Sequence, residues 1–266
     1  MWCPDVYEGG PTPFVAFLSV APKAAGVAAL LRFLFVGFGL EESQLVAGAF
    51  PWPIIVGVIA MATMTVGNLS ALPQNNVKRM LAYSSIAHAG YLLMGVAVGT
   101  PEAMRAVMLY LPIYLLMNMG AFLAVMAVRA RTGSECVEAF RGLGSRSPFL
   151  AAGLAIFLFS LVGIPPFAGF IAKFYLFMAV IKVDLPFYYL MAVVAVLNSV
   201  ISLFYYARIA RAMYLEQPEG DAGFERLDTA SAGMVGVLAV PTLVFGVYWA
   251  PLALLVDRTA AIIGAF

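Results

Sequence analysis

The stretch Gly163-Ile164-Pro165-Pro166-Phe167-Ala168-Gly169-Phe170-Ile171-Ala172-Lys173 lies inside an apolar run, 148–181, that would otherwise read as one long helix. Two consecutive prolines remove two backbone donors and clash with the preceding turn, so the run is predicted to be two half-helices with a break at Gly163, Pro165, Pro166 and Gly169. Backbone freed at such a break needs protein or water to satisfy it, and broken helices at membrane depth mark ion or substrate sites. Lys173 follows the break closely. If the helix restarts near Phe170, Lys173 falls in its first turn, where the positive end of the helix dipole opposes a cation.

The rest of the chain says what surrounds that run. Of 266 residues 63% are hydrophobic and 11% charged, with mean hydropathy +0.96, too little polar surface for a water-soluble domain of this length. A spanning helix needs about 20 apolar residues, because the hydrocarbon core is about 30 Å thick and each residue rises about 1.5 Å. Seven segments qualify: 12–36, 51–72, 78–99, 105–128, 148–181, 186–208 and 230–256. None shows barrel alternation, so the expected fold is an all-α polytopic transmembrane bundle of about seven helices, forming one domain over 1–266. The polar stretches 129–147 and 209–229 mix both signs and read as solvated loops.

With 15 basic and 14 acidic residues the net charge is +1, which suggests no nucleic-acid partner. Lys78, Arg79, Arg129, Arg131, Arg141, Arg146, Arg208, Arg211 and Arg226 fall on one side of the membrane, nine cations, against Arg32, Arg105, Lys182 and Arg258 on the other, four. The positive-inside rule then places the N-terminus in the cytoplasm and the C-terminus in the opposite compartment. Two unpaired thiols, Cys3 and Cys136, suit a reducing cytoplasm, and neither has metal-site spacing. The N-terminus lacks the basic and apolar regions of a cleaved signal peptide. Walker, GxGxxG, HExxH and iron–sulfur cysteine patterns are absent from the sequence, so no cofactor or metal is expected on this chain.

Lys23, near the midpoint of the first span, and Lys173 are the sharpest functional signals, because a charge at that depth costs at least about 2.5–3.5 kcal/mol on insertion scales. All fourteen acidic residues lie in loops or at span ends, so no intramembrane carboxylate balances either lysine. Amines in apolar surroundings give up protons more readily than amines in water, which is what a proton relay needs. Pro22 precedes Lys23 and is read as a second helix break; simple packing kinks are the competing reading. In the third span Lys78, Ser84, Ser85, His88 and Tyr91 share a polar stripe at helical spacing, able to hold a water wire. His88 is the only histidine and suits proton passage, though a lone histidine also serves packing. Lys78 suits either the relay or the positive-inside pattern, and Lys173 is expected to approach Lys78, Ser85 and His88.

Three motifs carry a family resemblance: Trp2-Cys3-Pro4-Asp5-Val6-Tyr7-Glu8-Gly9-Gly10-Pro11-Thr12-Pro13 on to Pro22-Lys23; Gly67-Asn68-Leu69-Ser70 and Gln74-Asn75-Asn76-Val77-Lys78-Arg79 on to His88-Ala89-Gly90-Tyr91; and Gly163 to Phe170 with Lys173. Together they resemble the subunit N family of bacterial respiratory complex I, the proton-translocating NADH:quinone oxidoreductase. The resemblance implies an antiporter-like fold of fourteen helices with two inverted repeats, of which this chain matches helices eight to fourteen and hence the second repeat. It implies Lys23, Lys78 and Lys173 as lysines of the eighth, tenth and broken twelfth helices, with NADH and quinone used elsewhere in the complex and other membrane subunits as partners. The chain lacks the family's first seven helices, including its glutamate–lysine pair, so Met1 reads as an internal methionine of a longer protein. A multi-subunit cation/proton antiporter would share the break and the buried lysines without needing NADH or quinone, and an inert packing remnant would need neither lysine.

Overall fold

A computed structural model of the chain describes residues 2–38, 51–217 and 228–263. In chain order the helices are α1 (Trp2–Gly9), α2 (Thr12–Phe38), α3 (Trp52–Ala71), α4 (Val77–Val98), α5 (Pro101–Thr132), α6 (Leu143–Arg146), α7 (Pro148–Val162), α8 (Ala168–Ile181), α9 (Pro186–Leu215), α10 (Thr229–Val247) and α11 (Ala250–Ile263). Six of them, α2, α3, α4, α5, α9 and α10, are long and apolar enough to cross a membrane. Helices α7 and α8, about 22 and 21 Å long at 1.5 Å per residue, are each too short to cross alone and make up the broken fifth span together.

Helices α4 and α5 form the centre. Within their apolar windows 72% and 67% of residues are buried, against 28% for α2 and 22% for α10, so the latter pair form the periphery. Capping starts both central helices cleanly. The Asn76 side chain accepts from Arg79 N–H at the start of α4, and that of Thr100 accepts from Ala103 N–H at the start of α5. Left-handed Gly99 and Gly133 end them.

At one end of the bundle the linkers are pinned down. The 134–137 segment pairs with 75–77 through Val77 N–H to Glu135 O (2.8 Å) and Val137 N–H to Asn75 O (2.9 Å). Arg141 bonds Glu216 at 2.9 Å, and Arg208 donates to the backbone carbonyls of Leu72 and Gln74. The 129–147 stretch is therefore not the solvated loop its charge suggests: residues to Thr132 continue α5, and Val137, Phe140 and Leu143 are buried. Apolar residues interleaved with the charges plug the bundle end. Likewise, in 209–229, residues to Leu215 belong to α9, while 218–227, with Arg226, lies outside the described residues.

Two further readings need correction. Pro22 does not break its helix, for α2 runs through it as α5 runs through Pro112 and α10 through Pro241. A lone proline forfeits a single intrahelical bond, whereas the 163–169 break combines consecutive prolines with a left-handed glycine. The 230–256 run is divided: α10 ends at Val247, and α11 begins at Ala250 with Pro251 in its first turn. Apolar Tyr248 and Trp249 hide that turn from a hydropathy reading.

Candidate functional site

The fifth span breaks in an ordered way. Gly163 adopts φ 88°, a left-handed cap that suits glycine, and its N–H returns to Phe159 O at 3.1 Å. Ile164 N–H reaches the same carbonyl at 3.3 Å, Phe167 N–H takes Ile164 O at 3.1 Å, and Gly169 N–H takes Ser160 Oγ at 3.0 Å. A Cβ on Gly169 would lie 1.8 Å from Ser160 O, and one on Gly246 of α10 would lie 1.8 Å from Pro166 O. Backbone thus packs on backbone from both sides of the turn.

Lys173 is the sixth residue of α8, since the helix restarts at Ala168 and not near Phe170. Side chains lean toward the N-terminus of their own helix, so its amine reaches back to the break. There it donates to Leu161 O at 3.1 Å and Val162 O at 2.8 Å, the terminal carbonyls of α7, and to Ser199 Oγ on α9 at 3.1 Å. The expected opposition from a helix N-terminus is replaced by attraction from a helix C-terminus, the negative end of the α7 dipole. Lys173 is 3% exposed, and its amine lies 4.5 Å from the Tyr91 ring centroid. A cleft of about 290 Å³ opens beside it, lined in part by Gly163, Ile164, Phe170 and Ser199.

Lys23, half-buried on α2, points at α4 and α5. Its amine donates to Ser85 O at 2.5 Å, Ser85 Oγ at 2.6 Å and Tyr114 OH at 3.2 Å, and Tyr114 OH lies 3.0 Å from Ser85 Oγ. His88 follows one turn along α4, its Nδ1 2.5 Å from Tyr110 OH and its ring 5.0 Å from that of Tyr114. Tyr91 sits 5.9 Å from His88 between ring centroids, and its hydroxyl lies 2.9 Å from Ser199 Oγ, which also accepts from Lys173. Ser84 turns the other way, to Tyr206 on α9.

The α4 stripe is thus shared between two lysines. Lys23 hydrogen-bonds it at Ser85, while Lys173 meets it at Tyr91, over whose ring it lies and with whose hydroxyl it shares Ser199, and makes no hydrogen bond to Lys78, Ser85 or His88, the groups it is expected to approach. Lys78 stands apart at the bundle end, where it pairs with Glu135 at 3.3 Å and donates to Gly10 O at 2.7 Å and Glu8 O at 3.2 Å. Sequence reading missed Tyr110, Tyr114, Ser199 and Glu135. The two tyrosines lie four apart on α5, a same-face signal that was available.

A family profile described as "NADH:quinone oxidoreductase/Mrp antiporter, TM" matches residues 1–202, which take in Lys23, the whole α4 stripe, the break and Lys173. The chain is 52% identical over 264 residues to NADH-quinone oxidoreductase subunit N 2 of Sorangium cellulosum, covering 99% of this chain and 52% of that protein. It is 50% identical over 262 residues to NADH-quinone oxidoreductase subunit N of an Anaeromyxobacter species, covering 95% and 51%. It therefore spans about half the length of these relatives. Among solved structures it resembles a chain of respiratory complex I from Thermus thermophilus, at TM-score 0.76 and 32% identity over 95% of this chain and 53% of that one. A chain of the Mrp complex from a Dietzia species matches at TM-score 0.84 and 25% identity, covering 98% and 55%. With three quarters of its length matched by the profile, this chain belongs to the NADH:quinone oxidoreductase/Mrp antiporter family of transmembrane proteins.

Proposed function

We propose that the chain works as part of a proton-translocating membrane subunit of a bacterial NADH:quinone oxidoreductase, passing protons between Lys23 and Lys173. One observation carries this reading: among the described residues neither amine is paired with a carboxylate, and each has a hydroxyl partner that leads to α4. A protonated amine donates three bonds, and a neutral one donates two and accepts one. Ser85, Tyr114 and Ser199 hydroxyls can rotate to donate into that lone pair, so each site stays satisfied in both states. The path has three parts: Lys23 with Ser85 and Tyr114, His88 with Tyr110, and Tyr91 through Ser199 to Lys173. Between Tyr114 and His88, and between His88 and Tyr91, the contacts are ring to ring, so transfer at both steps needs a bridging water.

The other membrane subunits of the complex are the partners, and redox energy reaches the chain through them, since NADH and quinone react elsewhere. The membrane is the bacterial cell membrane, with the Lys78–Arg79 end toward the cytoplasm. A cation/proton antiporter of the Mrp kind is the second reading, favoured by the shared fold; identities of 50–52% to subunit N proteins against 25% to the Mrp chain support the first.

Affinity purification of the full-length tagged protein from native membranes tests the assignment. NADH oxidation by a quinone analogue should co-purify with it. Recovery of Na⁺/H⁺ exchange without NADH oxidation would replace the assignment with the antiporter.

A further inference from the structure

Lys78 shares the α4 stripe with the relay groups, yet its surroundings are of another kind. The ammonium is fully buried and has three protons to place, and the structure supplies three acceptors: the Glu135 carboxylate and the carbonyls of Glu8 and Gly10. None is a hydroxyl. No partner can turn and donate into a lone pair, so a neutral Lys78 would be left unsatisfied and Glu135 left without its buried cation.

Glu135 is built into place. Its backbone carbonyl accepts from Val77 N–H, one residue before Lys78, and its carboxylate also takes Arg129 Nη1 at 2.8 Å and Asn76 Nδ2 at 3.4 Å. Beside it Arg79 pairs with Asp5 at 3.0 Å and Glu8 at 2.6 Å. Lys78, Arg79 and Arg129 against Asp5, Glu8 and Glu135 make three cations and three carboxylates, a neutral cap across α1, α4, α5 and the 134–137 segment.

We infer that Glu135 takes Lys78 out of proton transfer, fixing it as the buried half of an ion pair that closes one end of the stripe. The inference rests on the reading of Lys23 and Lys173 as the carriers, and it makes Lys78, a lysine of the same helix face, a fixed charge. Removing Glu135 alone strands the buried Lys78 ammonium, whereas removing Lys78 alone leaves Glu135 on Arg129 at 2.8 Å; removing both takes out one cation and one carboxylate and strands neither.

The experiment uses the full-length subunit in its native complex, with Lys78→Met, Glu135→Gln and the double replacement, scored for assembled complex and for protons moved per NADH oxidised in inverted vesicles. Glu135→Gln, which leaves Lys78 without a carboxylate, should lower assembly several-fold, Lys78→Met should lower it less because Arg129 still holds Glu135, and the double should restore most of the Glu135→Gln loss with a wild-type proton ratio. A double variant that assembles but pumps less would make Lys78 a carrier. Glu135→Gln that assembles like wild type, or a double no better than Glu135→Gln, would show that the pair closes nothing. A Lys173→Ala variant in the same series keeps the two readings apart. Normal pumping by it would sink the relay while leaving the assembly pattern of the pair to stand.

Discussion

Lys78 and Lys173 are both buried, at 0% and 3% exposure, and each places three protons on oxygen atoms, but the partners differ in what they can do next. Around Lys78 stand a carboxylate and two carbonyls, which only accept. Around Lys173 stand two carbonyls from the end of α7 and one serine hydroxyl, and around Lys23 one carbonyl and two hydroxyls. Taking an amine out of water is costly wherever it happens, and it does not by itself make a lysine a carrier. In the proposed relay, what separates a carrier from an anchor is a partner that can reverse its hydrogen bond and the lack of a fixed counter-charge.

The comparison depends on the geometry that brings α7's terminal carbonyls to Lys173, so the largest effect should come from closing the break's tight packing. Gly169→Ala would set a Cβ 1.8 Å from Ser160 O, and backbone would have to move. Overpacking of this kind costs about 1–3 kcal/mol or more, and assembled protein should fall sharply on native gels. Gly246→Ala should act alike through Pro166 O, whereas Gly233→Ala on the same α10 meets nothing within 4 Å and should be tolerated. Equal tolerance of all three would mean that the break is loosely held.

A smaller effect is expected from Ser199→Ala, which keeps the break and removes the one hydroxyl joining Lys173 to Tyr91. A lost neutral hydrogen bond is worth about 0.5–1.5 kcal/mol, or roughly two- to tenfold in a rate it limits. Coupled proton translocation should drop by that factor with assembly unchanged; an unchanged rate would disconnect Tyr91 from the path. Tyr114→Phe should do less, because Ser85 still offers Lys23 its carbonyl and hydroxyl. If Tyr114→Phe costs more than Ser199→Ala, the tyrosine carries the step and Ser85 only positions it.

Much of this arrangement could be read along the chain, and some could not. The break at Gly163–Gly169 was legible because consecutive prolines act locally, on the backbone that contains them. Pro22 misled because an isolated proline leaves the remaining ladder to hold the helix, and the turn at Tyr248–Trp249 was hidden by its own apolar side chains. Lys23 and Lys173 stood out through their cost and the prolines beside them, and of their hydroxyl partners Ser85 was named on the stripe while Tyr114 and Ser199 were not. Ser199 lies 26 residues from Lys173, and Tyr114 lies 91 from Lys23, on helices whose facing only packing decides. Glu135, 57 residues from Lys78, was hidden in a segment whose charges suggested solvent, though it is 9% exposed.

Lys173→Ala in the full-length subunit, set against Lys182→Ala on the exposed end of the same helical run, tests the central claim most directly. Proton uptake and NADH oxidation would be followed together in inverted vesicles and normalised to assembled complex. The account predicts a marked loss of protons per NADH for Lys173→Ala and none for Lys182→Ala. Wild-type coupling in Lys173→Ala would remove that lysine from the path and leave the break as a packing feature.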